Sequence, residues 1–418
     1  MRGRTVLLVA NNFPPVHGGS AVVYGNLARF AEGRLVPLAP RRSYLDGLPL
    51  IGWREHDRRA PYRVVRLTLL RTLIGPEPAR SPLRRLRFLL GDMALRAHVA
   101  TVLLRRIVGL RAGALCIGEL VASGWIIHAF RWIPGLRIVV YVHGEEITTV
   151  DPYDRAGARR RRALLAADGI VVVSRFTLDA VRRLLGPAAP DNIRLIENGV
   201  DTLRFSPRSR RRDLIELYRL DGCFVFVSVC RLLEKKGLDH AIQAFARVCA
   251  IHPDCRYLIV GSGPYRAALE HLAASPGIAG RVVFAGEVAD DELADFYCLG
   301  DVFVMPNREL ANGDTEGFGL VFLEANSCGL PVIAGRDGGS TDAVRDGING
   351  LVVDGRSVEQ IADAMLSLHD DAALRSAIGE RGRAVAEQAG WAAKTEAFLQ
   401  FCLGATPSDA AAPPKQTG

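Results

Sequence analysis

The polar and apolar positions of this chain repeat one pattern: a short, β-branched apolar run, then a longer stretch with helical spacing, then another apolar run. Unbroken apolar runs, as opposed to strict alternation, are what strands show when helices cover both faces of their sheet. In the first half the pattern predicts strands at Thr5–Ala10, Leu35–Leu38, Arg63–Leu67, Ala114–Ile117, Ile138–Val142, Ile170–Val173 and Ile193–Ile196. In the second it predicts Phe224–Val229, Tyr257–Val260, Val282–Ala285, Val302–Met305, Val332–Ala334 and Leu351–Val353. Strands alternating with helices build parallel sheets from βαβ units. The expectation is an α/β protein of two successive doubly wound, Rossmann-like domains, residues 1–203 and 204–390, joined within Asp201–Leu220. A last helix begins near Trp391, and the Ala- and Pro-rich residues 405–418 read as a disordered tail.

Length agrees with two domains, because 418 residues exceed what one core usually organises. Apolar residues make up 49% and charged residues 23%, so the bulk of the chain reads as globular. Runs such as Gly169–Val173 fall far short of the roughly 18 apolar residues of a spanning helix. Thr5–Ala10 follows two arginines, but Asn-Asn-Phe-Pro-Pro comes next with no small-residue cleavage pattern, so a first strand is the better reading than a signal peptide. The eight cysteines show no paired metal-ligand spacing and sit in apolar runs, which predicts core thiols in a reducing cytoplasm. No H-E-x-x-H, no Asp-x-Asp and no comparable ligand spacing occurs, so no tightly bound metal or other cofactor is expected.

Charge is divided unevenly. Residues 1–200 hold 31 Arg, no Lys and 15 acidic residues, whereas residues 201–418 hold 22 basic and 30 acidic ones. The first half alone is therefore expected to face an anionic partner. Arg80–Arg87 and Arg105-Arg106 alternate with leucines as a basic amphipathic helix would, and Arg159–Arg162 forms a denser patch. These predict contact with an anionic bilayer; a solvated basic surface is the plain alternative, and nucleic acid lacks any supporting motif or aromatic interleaving.

The candidate chemistry falls at the carboxyl ends of the predicted strands, where open α/β sheets bind ligands. Glu316-Gly317-Phe318-Gly319 leads into an apolar helix carrying Glu324. A helix start offers free N–H groups and the positive end of its dipole to a phosphate, while carboxylates accept sugar hydroxyls. The eight helical residues from Glu316 to Glu324 rise about 12 Å, enough for the two carboxylates to meet opposite ends of a sugar-diphosphate-ribose unit. Glu324 lies in an otherwise apolar run, where a carboxylate needs partners. Arg231 and Lys236, with Gly237, follow a strand and suit a diphosphate clamp, with a solvated charged loop as the alternative. Gly261 after a strand permits close backbone approach, though in isolation an ordinary strand-to-helix turn is the better explanation. Gly18 and Gly19 follow the first strand and precede a helix that Ser20 is placed to cap. His143 ends a predicted strand and is followed by Glu145 and Glu146; a satisfied histidine and solvated acids are the plain readings. Asn198–Asp201 and Gly338-Gly339 read as turns.

Taken in order, Arg231, Lys236-Gly237 and the E-x7-E element Glu316…Glu324 resemble the retaining glycosyltransferases of family 4. The likeness is strongest over Phe224–Val353 and extends to Pro14–Gly19, Tyr141–Gly144, Val171–Arg175 and Asn198–Asp201. The resemblance implies the GT-B fold, with two Rossmann-like domains facing each other across a cleft and a C-terminal helix, 391–404, returning to the first domain. It implies that Arg231 and Lys236 neutralise a donor diphosphate, that Glu316 and the Gly317–Gly319 backbone hold the transferred sugar, and that Glu324 accepts ribose hydroxyls. By the same resemblance Gly18 and Gly19 close on the donor and His143 contacts the sugar near its reacting carbon. The acidic lead-in Met305–Glu316 is similar to that of bacterial mannosyltransferases and exopolysaccharide hexosyltransferases. The expected reaction is hexose transfer, with GDP-mannose favoured over UDP-glucose or UDP-galactose, to a lipid-linked or polysaccharide acceptor at the inner face of the cell membrane. A sugar-nucleotide 2-epimerase on the same fold and an inactive nucleotide-sugar-binding protein are the competing classes.

Overall fold

The structure, a computed structural model, describes residues 5–73, 82–150 and 154–404. Two wholly parallel sheets carry the chain. The first contains β1 (Thr5–Val9), β2 (Leu35–Pro40), β3 (Val65–Leu67), β4 (Ala112–Ile117), β5 (Arg137–Val142), β6 (Gly169–Val172) and β7 (Ile193–Leu195). Their spatial order is β3-β2-β1-β4-β5-β6-β7. The second contains β8 (Phe224–Val229), β9 (Cys255–Val260), β10 (Val282–Gly286), β11 (Val302–Met305), β12 (Val332–Gly335) and β13 (Gly350–Val353), in the order β10-β9-β8-β11-β12-β13. Each strand expected from the sequence is present, with ends shifted by a residue or two; β3, for example, begins at Val65 and not at Arg63.

The first strand shows why the runs are continuous. Val6 and Leu8 face one helical layer, where Tyr24 and Leu27 of helix Gly19–Phe30 and Phe398 of helix Trp391–Leu403 are buried. Leu7 and Val9 face the other, with Val99, Leu103 and Ile107 of helix Pro82–Leu110. With water on neither face, alternation would leave polar groups buried.

Both sheets reverse their strand order once, between β1 and β4 and between β8 and β11, so each has a crevice at its carboxyl edge. The chain crosses between the two sheets at Asn198–Asp201 and again near Gly390. Val200 and Gly390 form a parallel bridge, and the Val200 N–H donates to the Ala389 carbonyl at 2.9 Å. The Asn198–Asp201 turn is thus one half of a double crossing. Beyond it, Phe398 packs on Tyr141 with ring centroids 5.7 Å apart and Arg34 pairs with Glu396 at 2.6 Å, fastening helix Trp391–Leu403 to the first sheet.

Two local expectations need correcting. Gly18, not Ser20, is the N-cap of helix Gly19–Phe30, and Ser20 lies inside the first turn because the helix starts two residues earlier than its capping chemistry suggested. Arg160, in the middle of the supposed basic patch, points inward: it pairs with Asp154 and donates to the Glu146, Ile147, Thr149 and Asp154 carbonyls. A guanidinium presents five donors in a fixed fork, so the converging carbonyls and Asp154 satisfy it where it is buried. Arg80 and residues 405–418 lie outside the described residues.

Candidate active site

The second sheet supplies a cation and a carboxylate in contact. Lys236 ends the short 3-10 turn Glu234–Lys236 that follows β8, and Gly237, in the left-handed region at φ 73°, turns the chain into helix Leu238–Ile251. The Lys236 Nζ donates to Glu316 Oε2, and their side chains are only 13% and 15% exposed. Burial works against both charges. For Lys236 the attraction of Glu316 outweighs it and raises the ammonium pKa; for Glu316 the attraction and hydrogen bond of Lys236 outweigh it and lower the carboxyl. The pair is therefore fully ionised near neutrality. Arg231 lies beside it, exposed, and its side chain forms no ion pair or hydrogen bond among the described residues.

The lead-in to Glu316 is bolted down. Arg308 forms a two-pronged pair with Asp239 at 2.7 and 2.8 Å, and Lys235 donates to Asp314 at 2.6 Å and to the Thr315 carbonyl at 3.1 Å. Buried Asn307 accepts from Ser340 Oγ at 2.8 Å and donates to the Asp337 carbonyl at 2.9 Å. Lys235, Asp239, Asn307 and Arg308 are positioning residues that motif reading passed over, because their partners are far away in sequence.

Glu324 does not stand a full helical span from Glu316. Helix Leu320–Ser327 begins only at Leu320, with Gly319 as N-cap at φ 89°, so Glu316–Gly319 is a bend and the 12 Å estimate based on helical rise does not apply. Glu324 accepts the Tyr297 hydroxyl at 2.7 Å, and burial raises its carboxyl pKa despite that bond. Gly319 has no capping side chain above the first-turn amides, which leaves those N–H groups for a ligand.

Across the cleft stands His143, at the end of β5. Its Nε2 lies 2.8 Å from the Tyr24 hydroxyl, which itself donates to the Gly118 carbonyl beyond β4. Since that hydroxyl has one proton, His143 must donate through Nε2–H, leaving Nδ1 as the acceptor nitrogen. Burial pushes the His143 pKa down to about 3, so the ring is neutral. Glu146, expected to be solvated, instead accepts the His143 and Gly144 amides at 2.8 and 3.1 Å. Burial raises its pKa to about 7 in spite of them. Glu119, also missed, fastens the β1–β4 crevice by accepting the Asn11 and Asn12 amides at 2.7 and 2.8 Å. No sequence signal marks Tyr24 or Glu119, since only sheet order brings them to His143 and Asn11.

The two halves meet at glycine. A Cβ on Gly317 would stand 2.1 Å from the His143 carbonyl oxygen, so that contact requires glycine. The Gly338-Gly339 turn closes behind it, the Gly339 N–H donating to the Glu316 carbonyl at 2.7 Å. A Cβ on Gly261 would stand 2.0 Å from the Cys230 carbonyl oxygen, so packing alone accounts for that glycine. Gly18 and Gly19 differ: nothing lies within 4 Å of either Cβ position, leaving room for a ligand. His17 beside them faces Glu287 at 3.5 Å, so this loop also reaches the second half. Phe318 is buried against the second core.

Elsewhere, His252, His369 and Asp370 converge from two helix ends, with potential ligand atoms within 4.8 Å of one another. Asp370 lies 2.9 Å from His252 and 2.7 Å from His369, and spacing in the sequence gave no hint of the trio.

Two family descriptions match the chain: "Glycosyl transferases group 1" over residues 201–385 and "Glycosyltransferase Family 4" over residues 17–204. A GDP-mannose-dependent alpha-(1-6)-phosphatidylinositol monomannoside mannosyltransferase of Mycolicibacterium smegmatis is 36% identical, covering 90% of this chain and 92% of that protein. A GDP-mannose-dependent monoacylated alpha-(1-6)-phosphatidylinositol monomannoside mannosyltransferase of Corynebacterium glutamicum is 28% identical over 92% of this chain and 93% of its own. Among solved structures, a sucrose-phosphate synthase of Thermosynechococcus elongatus superposes with a TM-score of 0.72 at 21% identity, covering 96% of this chain and 98% of that one. That likeness shows the shared fold.

Proposed function

Since the chain belongs to glycosyltransferase family 4 and has the GT-B fold, we propose that it transfers mannose from GDP-mannose, with retention, to a lipid-linked acceptor in cell-envelope synthesis. One observation carries this reading: an ionised Lys236–Glu316 pair at the carboxyl edge of the second sheet, with the His143 backbone against Gly317. It joins a cation for a leaving diphosphate to a carboxylate for sugar hydroxyls in one cleft. The relatives' donor and lipid acceptor support the choice of GDP-mannose over UDP-hexoses.

On this reading residues 204–390 hold the donor and residues 1–203 the acceptor. Arg231 and Lys236 take the diphosphate and the charge that grows on it as the sugar leaves. Glu316 and the Gly317–Gly319 backbone hold the mannose, Glu324 takes the ribose hydroxyls, and Gly18-Gly19 close over the donor. Neutral His143 accepts a sugar hydroxyl at Nδ1. The acceptor hydroxyl attacks from the face that the phosphate leaves, giving up its proton to a departing phosphate oxygen, so no enzyme nucleophile and no metal is needed.

Membrane contact belongs to the same proposal. No described helix is long and apolar enough to cross a membrane. Helix Pro82–Leu110 nevertheless leaves Leu83, Leu86, Leu89, Leu90 and Met93 more than half exposed, and Met93 is 66% exposed. An apolar face of that extent, with Arg105 and Arg106 on the same helix, suits an anionic lipid surface on the cytoplasmic side. The test combines two assays. GDP-mannose, and not UDP-hexoses, is expected to raise the melting temperature and support transfer, and Glu316→Ala is expected to abolish transfer. Vesicles with anionic lipid are expected to co-sediment the protein; sedimentation indifferent to anionic content would remove the membrane part, and failure of every nucleotide-sugar to bind would remove the whole.

A further inference from the structure

Two helix ends in the second half bring together three metal-ligating side chains that the transfer reaction does not use. His252 is the C-cap of helix Leu238–Ile251, and His369 and Asp370 end helix Val358–Asp370. We propose that His252 Nε2, His369 Nδ1 and an Asp370 carboxylate oxygen bind a divalent transition-metal ion of the zinc class, which clamps these two helix ends together. Two imidazoles and one carboxylate suit zinc and its neighbours in the first transition row, whereas magnesium and calcium take oxygen donors.

Hydrogen bonding alone does not account for the trio. His369 Nδ1 bonds to Asp370 Oδ1 at 2.7 Å. His252 Nε2 lies 2.9 Å from the same oxygen, yet it is buried and makes no hydrogen bond among the described residues. At that distance the failure is one of direction: the nitrogen is not aimed at the oxygen beside it. A buried ring nitrogen left unbonded needs another partner, and an ion is one. Atoms that share a metal stand side by side, with their lone pairs converging on the ion and not on each other. The two imidazole rings stack with centroids 3.8 Å apart and 30° between their planes, which sets both nitrogens against one carboxylate. Donor atoms about 2.0–2.2 Å from a tetrahedral zinc ion stand roughly 3.3–3.5 Å from each other. Here two pairs lie at 2.7 and 2.9 Å and all three atoms fall within 4.8 Å, so small rotations of the side chains reach that spacing. On binding, the ion takes the place of the proton on His369 Nδ1, and that ring carries its proton on Nε2.

The surroundings favour a cation and hold the ligands in place. The C-terminal ends of a 14-residue and a 13-residue helix converge here, each the negative end of its dipole. Arg375 already answers one of them, donating to the Leu368 and His369 carbonyls at 2.7 and 2.9 Å and fixing the His369 backbone. The Cys255 N–H donates to the His252 carbonyl at 3.4 Å. The Asp370 side chain is 55% exposed, so the ion enters past it and water fills the fourth position. The His369 ring lies 4.6 Å from that of Phe224, the first residue of β8, which puts the trio at the amino edge of the second sheet. Lys236 and Glu316 stand at the opposite edge. Helix Leu238–Ile251 starts next to Lys236 and ends at His252, so the ion steadies the far end of that helix and takes no part in transfer.

The test uses the full, untagged chain, stripped with a chelator and titrated with Zn²⁺ by calorimetry. A single equivalent is expected to bind. Zinc at about 100 times its dissociation constant is expected to raise the melting temperature by about 3 °C or more, and Mg²⁺ is expected to do neither. Asp370→Asn is expected to weaken zinc binding about tenfold or more, and His252→Ala to abolish it. Asp370→Asn alters an exposed group, so its melting temperature without zinc is expected to match wild type, and a zinc shift lost in that variant reports a lost ligand and not a damaged fold. Bound Co²⁺ is expected to show a visible ligand-field band without thiolate charge transfer in the near ultraviolet. Thiolate charge transfer would place the ion on cysteine, and zinc affinity unchanged in both variants would place it elsewhere; either result overturns the proposal, as does the absence of zinc binding by wild type. Transfer measured well below the melting temperature is expected to be equal with and without zinc, and zinc-dependent transfer would overturn the structural role. None of the binding readouts involves a nucleotide-sugar, so they stand or fall apart from the proposed reaction.

Discussion

Gly317→Ala isolates the contact between the two halves of the molecule. Gly317 is not in the left-handed region, so alanine adds no backbone strain, and the penalty is steric alone. Its Cβ would fall 2.1 Å from the His143 carbonyl oxygen, against roughly 3.4 Å for an ordinary carbon–oxygen contact. The two backbones must therefore separate by about 1 Å, a displacement of the kind that costs about 1–3 kcal/mol when a packed site is overfilled. Because His143 and Gly317 belong to different sheets, opening the cleft relieves the clash without disturbing either core. The closed arrangement then becomes about 5- to 150-fold less populated, and the apparent donor affinity falls by that factor where donor binding requires closure. The assay is steady-state transfer together with thermal denaturation. The expected result is a kcat/KM reduced at least fivefold, with a melting temperature within about 2 °C of wild type. A kcat/KM within twofold of wild type would refute the reasoning, as would a large fall in melting temperature with unchanged kcat/KM.

Glu324→Gln keeps the Tyr297 hydrogen bond but weakens the acceptor for ribose hydroxyls; it is expected to raise the GDP-mannose KM about tenfold with kcat nearly unchanged, measured by initial rates. Glu146 has a folded pKa of about 7 against an ordinary 4.5, so the folded state binds the extra proton, and stability is present below about pH 4.5 and lost as pH rises through about 7. Glu146→Gln is therefore expected to flatten the melting-temperature profile between these limits, removing on the order of 1–3 kcal/mol of pH dependence; an unchanged profile would refute the assignment. Chelation with excess EDTA is expected to leave transfer rates unchanged, and loss of activity restored by a divalent cation would overturn the metal-independent reading. Glu316→Gln and Lys236→Met are each expected to cost about 3 kcal/mol in denaturant unfolding, while the double variant costs less than either alone. Additive losses would show that the pair is not coupled.

Period and composition carried the fold. Parallel sheets covered on both faces leave continuous apolar runs, and turns at their carboxyl ends need glycine, so the strands and the loops bearing Arg231, Lys236, His143 and Glu316 were legible. The site was legible only where residues lie close in sequence. Tyr24, Gly118 and His143 form one hydrogen-bonded line, yet they come from a helix, the end of β4 and the end of β5. Strand order places them together, and no local pattern encodes strand order. The same limit concealed Asp239 under Arg308 and Tyr297 under Glu324. Charge counting failed differently. A count does not separate surface from interior: Arg160, within the Arg159–Arg162 patch, fills a cage of carbonyls, and the Arg66 side chain is buried against Asp57. An arginine-rich half therefore overstates the positive charge available to a membrane.

On the proposed function, the Lys236–Glu316 pair explains how a cation for phosphate and a carboxylate for sugar hydroxyls coexist in one buried cleft. Alone, either charge at this depth would cost several kcal/mol and would move its pKa toward neutrality. Together each keeps the other ionised, as the raised lysine and lowered glutamate show. A donor that brings a negative diphosphate and neutral hydroxyls is able to take over both roles, with phosphate facing Lys236 and hydroxyls donating to Glu316. A nucleoside diphosphate without sugar supplies only the first, so it would draw Lys236 away and leave Glu316 buried without its main partner. On that reading the pair would favour the intact nucleotide-sugar over the spent nucleotide. On the same reading Arg231, whose exposed side chain has no partner among the described residues, would make up part of the difference for the diphosphate, putting donor selectivity in Glu316 and general nucleotide affinity in Arg231.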